Sequence, residues 1–302
     1  MIRKDYSYQD ELPCDAVSGT MDEVEHARLE ALADLVADGD VVVLSGAGLS
    51  TESGIPDYRG PSGAARRATP MTYQAFTGSD GARRRYWARS HLGWRVIARA
   101  APNAGHRAVA ALERQGLLAG TITQNVDGLH TAAGSQDVVE LHGNLDRVVC
   151  LGCRRLSRRE ELDSRLRAVN RAWNARVLAV NPDGDVDLPE ENLLAFRTVE
   201  CTACGGVLKP DVVFFGETVP ADRVARCFSL VDRAGALLVL GSSLTVMSGY
   251  RFVLHAAKLG VPVAIVNAGV TRGDEKASLL LDAPLGEVLP ALVARLEVPA
   301  GR

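Results

Sequence analysis

Four short apolar runs alternate along the chain with stretches of helical periodicity, and they constrain the fold more than any other feature. The runs cover residues 41–44, 121–123, 236–240 and 261–266. Apolar runs of this length, bounded by glycine or polar residues, are typical of strands that are buried on both faces. Their alternation with helices, the first at residues 22–37, predicts an α/β fold with a Rossmann-like, doubly wound parallel sheet.

A cluster of small or polar residues follows each predicted strand directly. Because ligands of open α/β sheets bind at the carboxyl ends of the strands, we expect the four clusters to form one site. The glycines of the first cluster would let backbone amides approach a pyrophosphate closely. The clusters are Gly46, Ala47 and Gly48; Gln124, Asn125 and Asp127; Gly241, Ser242 and Ser243; and Asn267, Ala268 and Gly269.

Two Cys-x-x-Cys pairs, Cys150 with Cys153 and Cys201 with Cys204, predict a metal site rather than disulfides. Four thiolates form the closed tetrahedral ligand set of one structural zinc, which supports folding and leaves no position open to water. Between the two pairs, residues 156–177 predict a charged helix.

The cysteine-bearing segment is one of two that interrupt the alternation of strands and helices. Residues 61–94 and 146–208 are therefore predicted to form a smaller inserted module, with a helical segment and the zinc site. Residues 22–60, 95–145 and 209–302 would form the discontinuous sheet domain, which binds the cofactor.

Composition and charge favour an ordinary globular enzyme over a protein that binds nucleic acid or spans a membrane. The 302 residues are 47% hydrophobic and 24% charged, a composition typical of globular proteins. Their net charge of −3 lacks the excess of positive charge with which proteins bind nucleic acid. The first residues lack the pattern of a secretory signal, and no apolar run is long enough to span a bilayer. We therefore expect a cytoplasmic enzyme.

A longer motif extends the first cluster, since residues 46–59 read GAGLSTESGIPDYR. This run matches the cofactor-binding signature of sirtuins almost position for position, and five further sirtuin motifs follow in the family's order. They are TQNVDGLH at 123–130, LHG at 141–143, KPDVVFFGE at 209–217, GSS at 241–243 and NAG at 267–269. The chain thus resembles a sirtuin over nearly its whole length.

Several segments resemble the class II sirtuins in particular. They are Tyr58, the run RRYWAR at 84–89, the run VMSGYRF at 246–252 and the long spacer between the cysteine pairs. Tyr86 and Arg89 also have the spacing with which class V sirtuins read acidic acyl groups, but they lie inside the class II run. The resemblance leaves the acyl group open.

The resemblance implies an NAD-dependent protein lysine deacylase, which uses NAD as a co-substrate and acylated-lysine proteins or peptides as partners. His142 would be the general base, because an imidazole accepts a proton from a ribose hydroxyl near neutral pH. Asn125 and Asp127 would act at the ribose and the nicotinamide. The other implied cofactor contacts are Ser50, Ile55, Asp57, Tyr58, Arg59, Gln124, Ser242, Ser243 and Asn267, and the implied substrate contacts are Val213, Phe214, Gly216 and Glu217.

Three other functions stay open from the sequence alone. Protein ADP-ribosyl transfer is a second activity that class II relatives suggest. A nicotinamide-dependent oxidoreductase is disfavoured, because no acidic residue ends a second strand to bind the adenosine ribose. A non-catalytic NAD-sensing zinc protein would bind NAD without releasing nicotinamide.

Overall fold

The computed structural model describes residues 23–57, 70–181, 185–189, 192–193 and 195–297. Two of the predicted cofactor contacts, Tyr58 and Arg59, lie outside these residues.

The described residues form both helices and strands, and none of the described helices is long and apolar enough to cross a membrane. The helices are α1 (Glu23–Ala37), α2 (Tyr73–Gly78), α3 (Asp80–Ile97), α4 (Ala104–Arg114), α5 (Leu129–Ala132), α6 (Arg159–Val169), α7 (Ala221–Val231), α8 (Met247–Leu259) and α9 (Leu285–Leu296). The strands are β1 (Val41–Ser45), β2 (Leu118–Thr123), β3 (Val138–Glu140), β4 (Gly143–Cys150), β5 (Leu156–Arg158), β6 (Ala179–Val180), β7 (Val186–Asp187), β8 (Leu208–Val212), β9 (Ala236–Leu240), β10 (Val263–Val266) and β11 (Leu279–Leu281).

The largest sheet has six parallel strands in the order β11-β10-β9-β1-β2-β3. From β1 the chain winds outward through β2 and β3, and it then returns to β9 and winds outward on the other side. The reversal leaves a crevice between the carboxyl ends of β1 and β9, where Ser45 pairs with Leu240. This order is the doubly wound Rossmann arrangement, so the predicted fold class is confirmed.

Alternate residues of β1 face two separate apolar cores, one on each side of the sheet. Val41 and Val43 pack in a core with residues of α1, α4 and α9. Val42 and Leu44 pack in a second core with residues of α7 and α8. All four side chains are fully buried, which explains why this strand is a continuous apolar run.

A third core lies around the antiparallel sheet β5-β4-β8 and the helices α3 and α6. Its aromatic centre joins Phe76, Tyr86, Trp87 and Phe214, whose contacting ring centroids are 5.1–6.5 Å apart. Aromatic contacts of this kind contribute beyond the area that they bury. Phe214, one of the predicted substrate contacts, is thus held in the third core.

The helix predicted at residues 156–177 is shorter than expected. Residues 156–158 form β5 instead, because they pair with β4. α6 then ends just before Asn170, whose Nδ2 donates to the carbonyls of Leu166 and Arg197, each at 2.8 Å. A side chain that binds backbone carbonyls in this way competes with continuation of the helix.

Candidate active site

A cavity of about 980 Å³ opens at the carboxyl end of the six-stranded sheet, and residues of both the sheet and the third core line it. The four predicted clusters reach it from separate strands, and residues 212–217 enclose it from the side of the third core. The predicted site residues that line it are Gly46, Ala47, Gly48, Ser50, Ile55, Asp57, Gln124, Asn125, Asp127, His142, Val213, Phe214, Gly216, Glu217, Gly241, Ser242, Ser243, Asn267 and Ala268. A large, largely apolar cleft with a few convergent polar groups is typical of a ligand site.

Gly269 is the described cofactor residue that does not line this cavity. Its amide donates to Oδ1 of Asp282 at 3.0 Å, and its carbonyl accepts a hydrogen bond from Nδ2 of Asn267 at 2.8 Å. Its φ of 83° favours glycine. Gly269 therefore shapes the loop that presents Asn267.

Close packing within the protein requires the glycines at 46 and 48. A Cβ on Gly46 would lie 2.7 Å from Cβ of Ser242, and a Cβ on Gly48 would lie 2.9 Å from the carbonyl oxygen of Gly241. The amides of Gly46 and Gly48 donate to the carbonyls of Leu240 at 2.9 Å and Gly241 at 2.8 Å. The sequence predicts these glycines as contacts to a pyrophosphate. In the structure they let the loops after β1 and β9 meet, and their own amides donate to carbonyls of the protein.

Ser50, Asn125 and Asp127 form a chain of hydrogen bonds along the cavity wall. Nδ2 of Asn125 donates to Oγ of Ser50 at 3.0 Å, and that hydroxyl donates to Oδ2 of Asp127 at 2.7 Å. The amide of Leu129 donates to Oδ1 of Asp127 at 2.9 Å. Burial raises the pKa of the Asp127 carboxyl, although the bonds from Leu129 and Ser50 act in the opposite direction. These hydrogen bonds thus hold three predicted cofactor contacts in fixed positions.

Gln124 ties the end of β2 to the end of β9. Its Nε2 donates to Oγ of Ser242 at 2.8 Å. A Cβ on Gly249 would lie only 2.4 Å from Oε1 of Gln124, so α8 packs directly on this amide. Two of the predicted clusters are therefore joined without a ligand.

His142 lies between β3 and β4, with both ring nitrogens engaged. Nδ1 is 2.9 Å from the carbonyl oxygen of Gln124, which only accepts, so Nδ1 carries the proton and Nε2 carries the lone pair. The hydroxyl of Ser248 donates to Nε2 at 2.8 Å. Burial lowers the pKa of His142, Arg251 and Arg223 lower it further, and the bond to Gln124 partly opposes them. The ring is thus a neutral base beside the cavity.

The backbone next to His142 is bound to the predicted substrate segment. The carbonyl of His142 accepts a hydrogen bond from the amide of Val213 at 2.8 Å. Gly143 has a φ of 86°, and a Cβ there would lie 1.9 Å from the carbonyl oxygen of Asp211. Only glycine allows this approach, so the LHG motif places the base directly against β8.

Sequence reasoning missed Lys209, which holds the turn of the substrate segment. Its ammonium group is buried and lies 3.0 Å from Oε2 of Glu217 and 4.7 Å from the ring centroid of Phe214. The same carboxylate oxygen accepts the amide of Phe214 at 2.9 Å. Burial lowers the pKa of Lys209, and the charge of Glu217 opposes that change. Lys209 lies within β8, and a lysine in a strand gives no sequence signal for this inward position.

Ser248 is a second residue that sequence reasoning missed. It lies in the run 246–252, which the sequence offers only as a mark of class II, and its bond to His142 joins residues 106 positions apart. The predicted clusters came from strand ends, whereas Ser248 lies in the first turn of α8.

Arg89 does not have the position of a residue that reads an acidic acyl group. Its Nη2 lies 2.8 Å from Oδ1 of Asp187 and 3.2 Å from Oδ1 of Asp185, and its Nε donates to the carbonyl of Val186 at 2.8 Å. Tyr86 lines the cavity, but Arg89 does not. Arg89 instead fastens the long spacer between the cysteine pairs to α3.

The four cysteines form one cluster, in which all Sγ atoms lie within 4.8 Å of one another. The Sγ atoms of Cys150 and Cys204 are 3.5 Å apart, and those of Cys153 and Cys201 are 3.8 Å apart. The amides of Cys153 and Ala203 donate to the Sγ atoms of Cys150 and Cys201, which lowers the pKa of both thiols. This set of thiolate donors fits the predicted structural zinc.

Comparison with known proteins gives one consistent result. A profile of the Sir2 family matches residues 46–248. An NAD-dependent protein deacetylase 1 of Streptomyces coelicolor is 61% identical over 273 residues, which cover 90% of this chain and 91% of that protein. A solved structure of Sir2 with a p53 peptide and NAD⁺ is 29% identical, has a TM-score of 0.69 and is aligned over 88% of this chain and 98% of its own. A Sir2 variant with deacetylated p53 peptide and 3′-O-acetyl ADP ribose gives 30% identity, a TM-score of 0.72 and coverages of 88% and 98%.

Proposed function

The chain belongs to the Sir2 family, and we propose that its cavity binds NAD⁺ and an acylated lysine side by side, with His142 as the general base. The activity is NAD-dependent protein deacylation, and the relative with 61% identity is named an NAD-dependent protein deacetylase. NAD⁺ supplies the ribose carbon that receives the acyl oxygen as nicotinamide leaves. The position of the cavity at the switch point of the sheet supports NAD⁺ binding there.

The observation that carries the proposal is the fixed tautomer of His142. Because the carbonyl of Gln124 accepts from Nδ1, the basic lone pair is on Nε2, beside the cavity. The lowered pKa of His142 keeps this nitrogen neutral at physiological pH. Nε2 can therefore accept the proton of a ribose hydroxyl, and the carbonyl of Gln124 stabilises the imidazolium that results.

Hydrogen bonds support the predicted roles of the cofactor contacts. Asn125 and Asp127 would face the reacting ribose and the nicotinamide. Ser50 supports these roles because its hydroxyl is hydrogen-bonded to both side chains and holds them side by side. Ser242 and Ser243 follow β9 and would face the phosphates and the neighbouring ribose, with Asn267 on the adenosine side. Ile55 and Asp57, which line the same cavity, would shield and bind the carboxamide.

We further propose that residues 212–217 pair with the backbone of a protein or peptide substrate, while Val213 and Phe214 line the path of the acyl-lysine. Main-chain pairing along a strand tolerates many sequences and suits a protein substrate. Lys209 and Glu217 support this role because they hold the turn of the segment. The net charge of −3 favours a protein partner over nucleic acid.

The domain division is likewise a proposal. Residues 61–94 and 146–208 would form the zinc module, and the separate third core supports this division. A cytoplasmic location fits the four thiols of the metal cluster, because paired cysteines that bind a metal rather than form disulfides are typical of a reducing compartment.

Nicotinamide release from NAD⁺ tests the proposal. We expect release only with an acylated peptide, from a panel of acetyl, succinyl, 3-hydroxyacyl, lipoyl and long-chain lysines. We expect His142→Ala to lower the steady-state formation of deacylated peptide by about 100-fold or more, because the base acts on the ribose hydroxyl. His26→Ala is the matched control, since His26 is an exposed histidine of α1 outside the cavity, and it should retain full activity.

Two outcomes would change the assignment. Nicotinamide release without acyl peptide, with labelled ADP-ribose on protein, would make ADP-ribosyl transfer the main activity. Full deacylation by His142→Ala would remove His142 from the role of base.

A further inference from the structure

Ser248 lies where the substrate's hydroxyl group must approach the base. It is the second residue of α8, it lines the cavity, and its hydroxyl is 2.8 Å from Nε2 of His142. Nε2 has a single lone pair, and the proton on Nδ1 leaves it as the basic atom of the ring. A ribose hydroxyl that gives its proton to Nε2 must therefore first take the place of the Ser248 hydroxyl.

The hydroxyl of Ser248 can serve both protonation states of His142. While the ring is neutral, the O–H group donates to Nε2. Once Nε2 is protonated, the ring donates and the Ser248 oxygen accepts. The second bond is the stronger one, because a hydrogen bond from a charged donor is about twice as strong as a neutral one.

The other groups around His142 make such a partner important. Among the described residues, Arg251 of α8 and Arg223 of α7 are the charged groups that act on the ring, and both disfavour the imidazolium. Burial disfavours it as well. The carbonyl of Gln124 supports only Nδ1, so in the part of the chain that the structure describes Ser248 is the partner that supports a proton on Nε2.

We propose that Ser248 is a positioning residue for the deacylation reaction: it holds Nε2 of neutral His142 in the free enzyme and accepts a hydrogen bond from that nitrogen after proton transfer. The proposal rests on the role of His142 as the general base. It assigns a function to the run 246–252 that is independent of the contacts to NAD⁺ and to the acyl-lysine.

The test is a ¹⁵N NMR titration of the His142 ring in the free protein, which needs neither NAD⁺ nor activity. In the native chain, the ¹⁵N chemical shift of Nε2 should be that of an unprotonated ring nitrogen, as in the Nδ1-protonated tautomer. In Ser248→Ala the pKa of His142 should fall by about half a unit, because the loss of the charged hydrogen bond outweighs the loss of the neutral one. Ser248→Thr keeps a hydroxyl and should stay close to the native value.

Kinetics give the second readout. For Ser248→Ala we expect kcat to fall by about 3- to 10-fold, while KM for NAD⁺ changes less than about twofold, and Ser248→Thr should recover most of kcat. Ser229→Ala is the matched control, because Ser229 is an exposed helical serine of α7 outside the cavity.

The inference is wrong if Ser248→Ala leaves the pKa of His142 at its native value. That failure differs from failure of the proposed function. If His142→Ala deacylates normally, the base is misassigned, whatever the titration shows.

Discussion

The buried histidine pair His106 and His130 makes the protein sensitive to acid in a way that one substitution can isolate. The two rings pack edge to face with centroids 5.2 Å apart, between α4 and α5. Nε2 of His130 lies 2.8 Å from Oγ of Ser45. Burial is the main cause that lowers the pKa of His130 to about 3, with a smaller contribution from the charge of His106. Burial also lowers the pKa of His106 to about 4, with a smaller contribution from the charge of Arg107.

Because the folded-state pKa values of both histidines are lowered, the protein should lose stability as the pH falls. Each histidine has a pKa near 6.5 in the unfolded chain, so protons bind the unfolded state preferentially once the pH falls below that value. The stability is fully present above pH 6.5 and is lost as the pH falls toward the folded pKa. At pH 5, which is about 1.5 units below the unfolded pKa, each histidine lowers the free energy of unfolding by about 2 kcal/mol, since one pH unit corresponds to 1.36 kcal/mol. The pair together lowers it by about 4 kcal/mol.

His130→Gln tests this reasoning, because glutamine does not titrate and can still bond to the hydroxyl of Ser45. Urea unfolding at pH 7.5 and pH 5.0 gives the free energy of unfolding for both proteins. The native chain should lose about 2 kcal/mol more than the variant between the two pH values. The control His26→Gln should lose as much as the native chain. Equal losses in native and His130→Gln proteins would refute the argument, whatever the absolute stability of the variant.

Three further substitutions or treatments probe packing, metal and the spacer. Gly48→Ala should destabilise the protein by about 1–3 kcal/mol, because its Cβ would meet Gly241 at 2.9 Å. Gly78→Ala should be neutral, because no atom of the described residues outside its own helical turn lies within 4 Å of the added Cβ. Thermal unfolding distinguishes the two variants. A strong chelator should remove about one zinc per chain and lower Tm, and added zinc should restore it; an unchanged Tm after metal loss would contradict a structural role. Arg89→Ala should speed proteolytic cleavage of residues 171–200, because it frees Asp185 and Asp187 from α3, and the exposed Arg99→Ala should not; equal rates would mean that other contacts hold the spacer.

The parts of the fold that could be predicted depend on local signals. A strand buried on both faces must be apolar at every position, so β1 could be predicted from the sequence. The doubly wound order of the sheet could be predicted because strands that alternate with helices form parallel sheets. The cysteine pairs were visible because two ligands on a tight turn need a fixed spacing. Both features are properties of short segments, and the structure changed neither.

The features that were missed depend on contacts between distant segments. Whether residues 156–158 continue a helix or form β5 is decided by pairing with β4, which no local pattern contains. The need for glycine at 48 is set by Gly241, which lies in the loop after β9. A ligand and a neighbouring loop both require a small residue, so the sequence cannot separate the two causes.

Contacts between distant segments also make the site act as one unit. The carbonyl of His142 accepts the amide of Val213, and the ring of His142 reaches Gln124 and Ser248. The base is therefore fastened to the substrate segment by its backbone and to the cofactor loop by its side chain. A shift of either segment would move Nε2, and a displacement of about 1 Å is enough to lower a rate by about 100-fold. Substitutions in Lys209, which holds the substrate segment, should consequently act on kcat as well as on peptide binding, because that segment and the base move together.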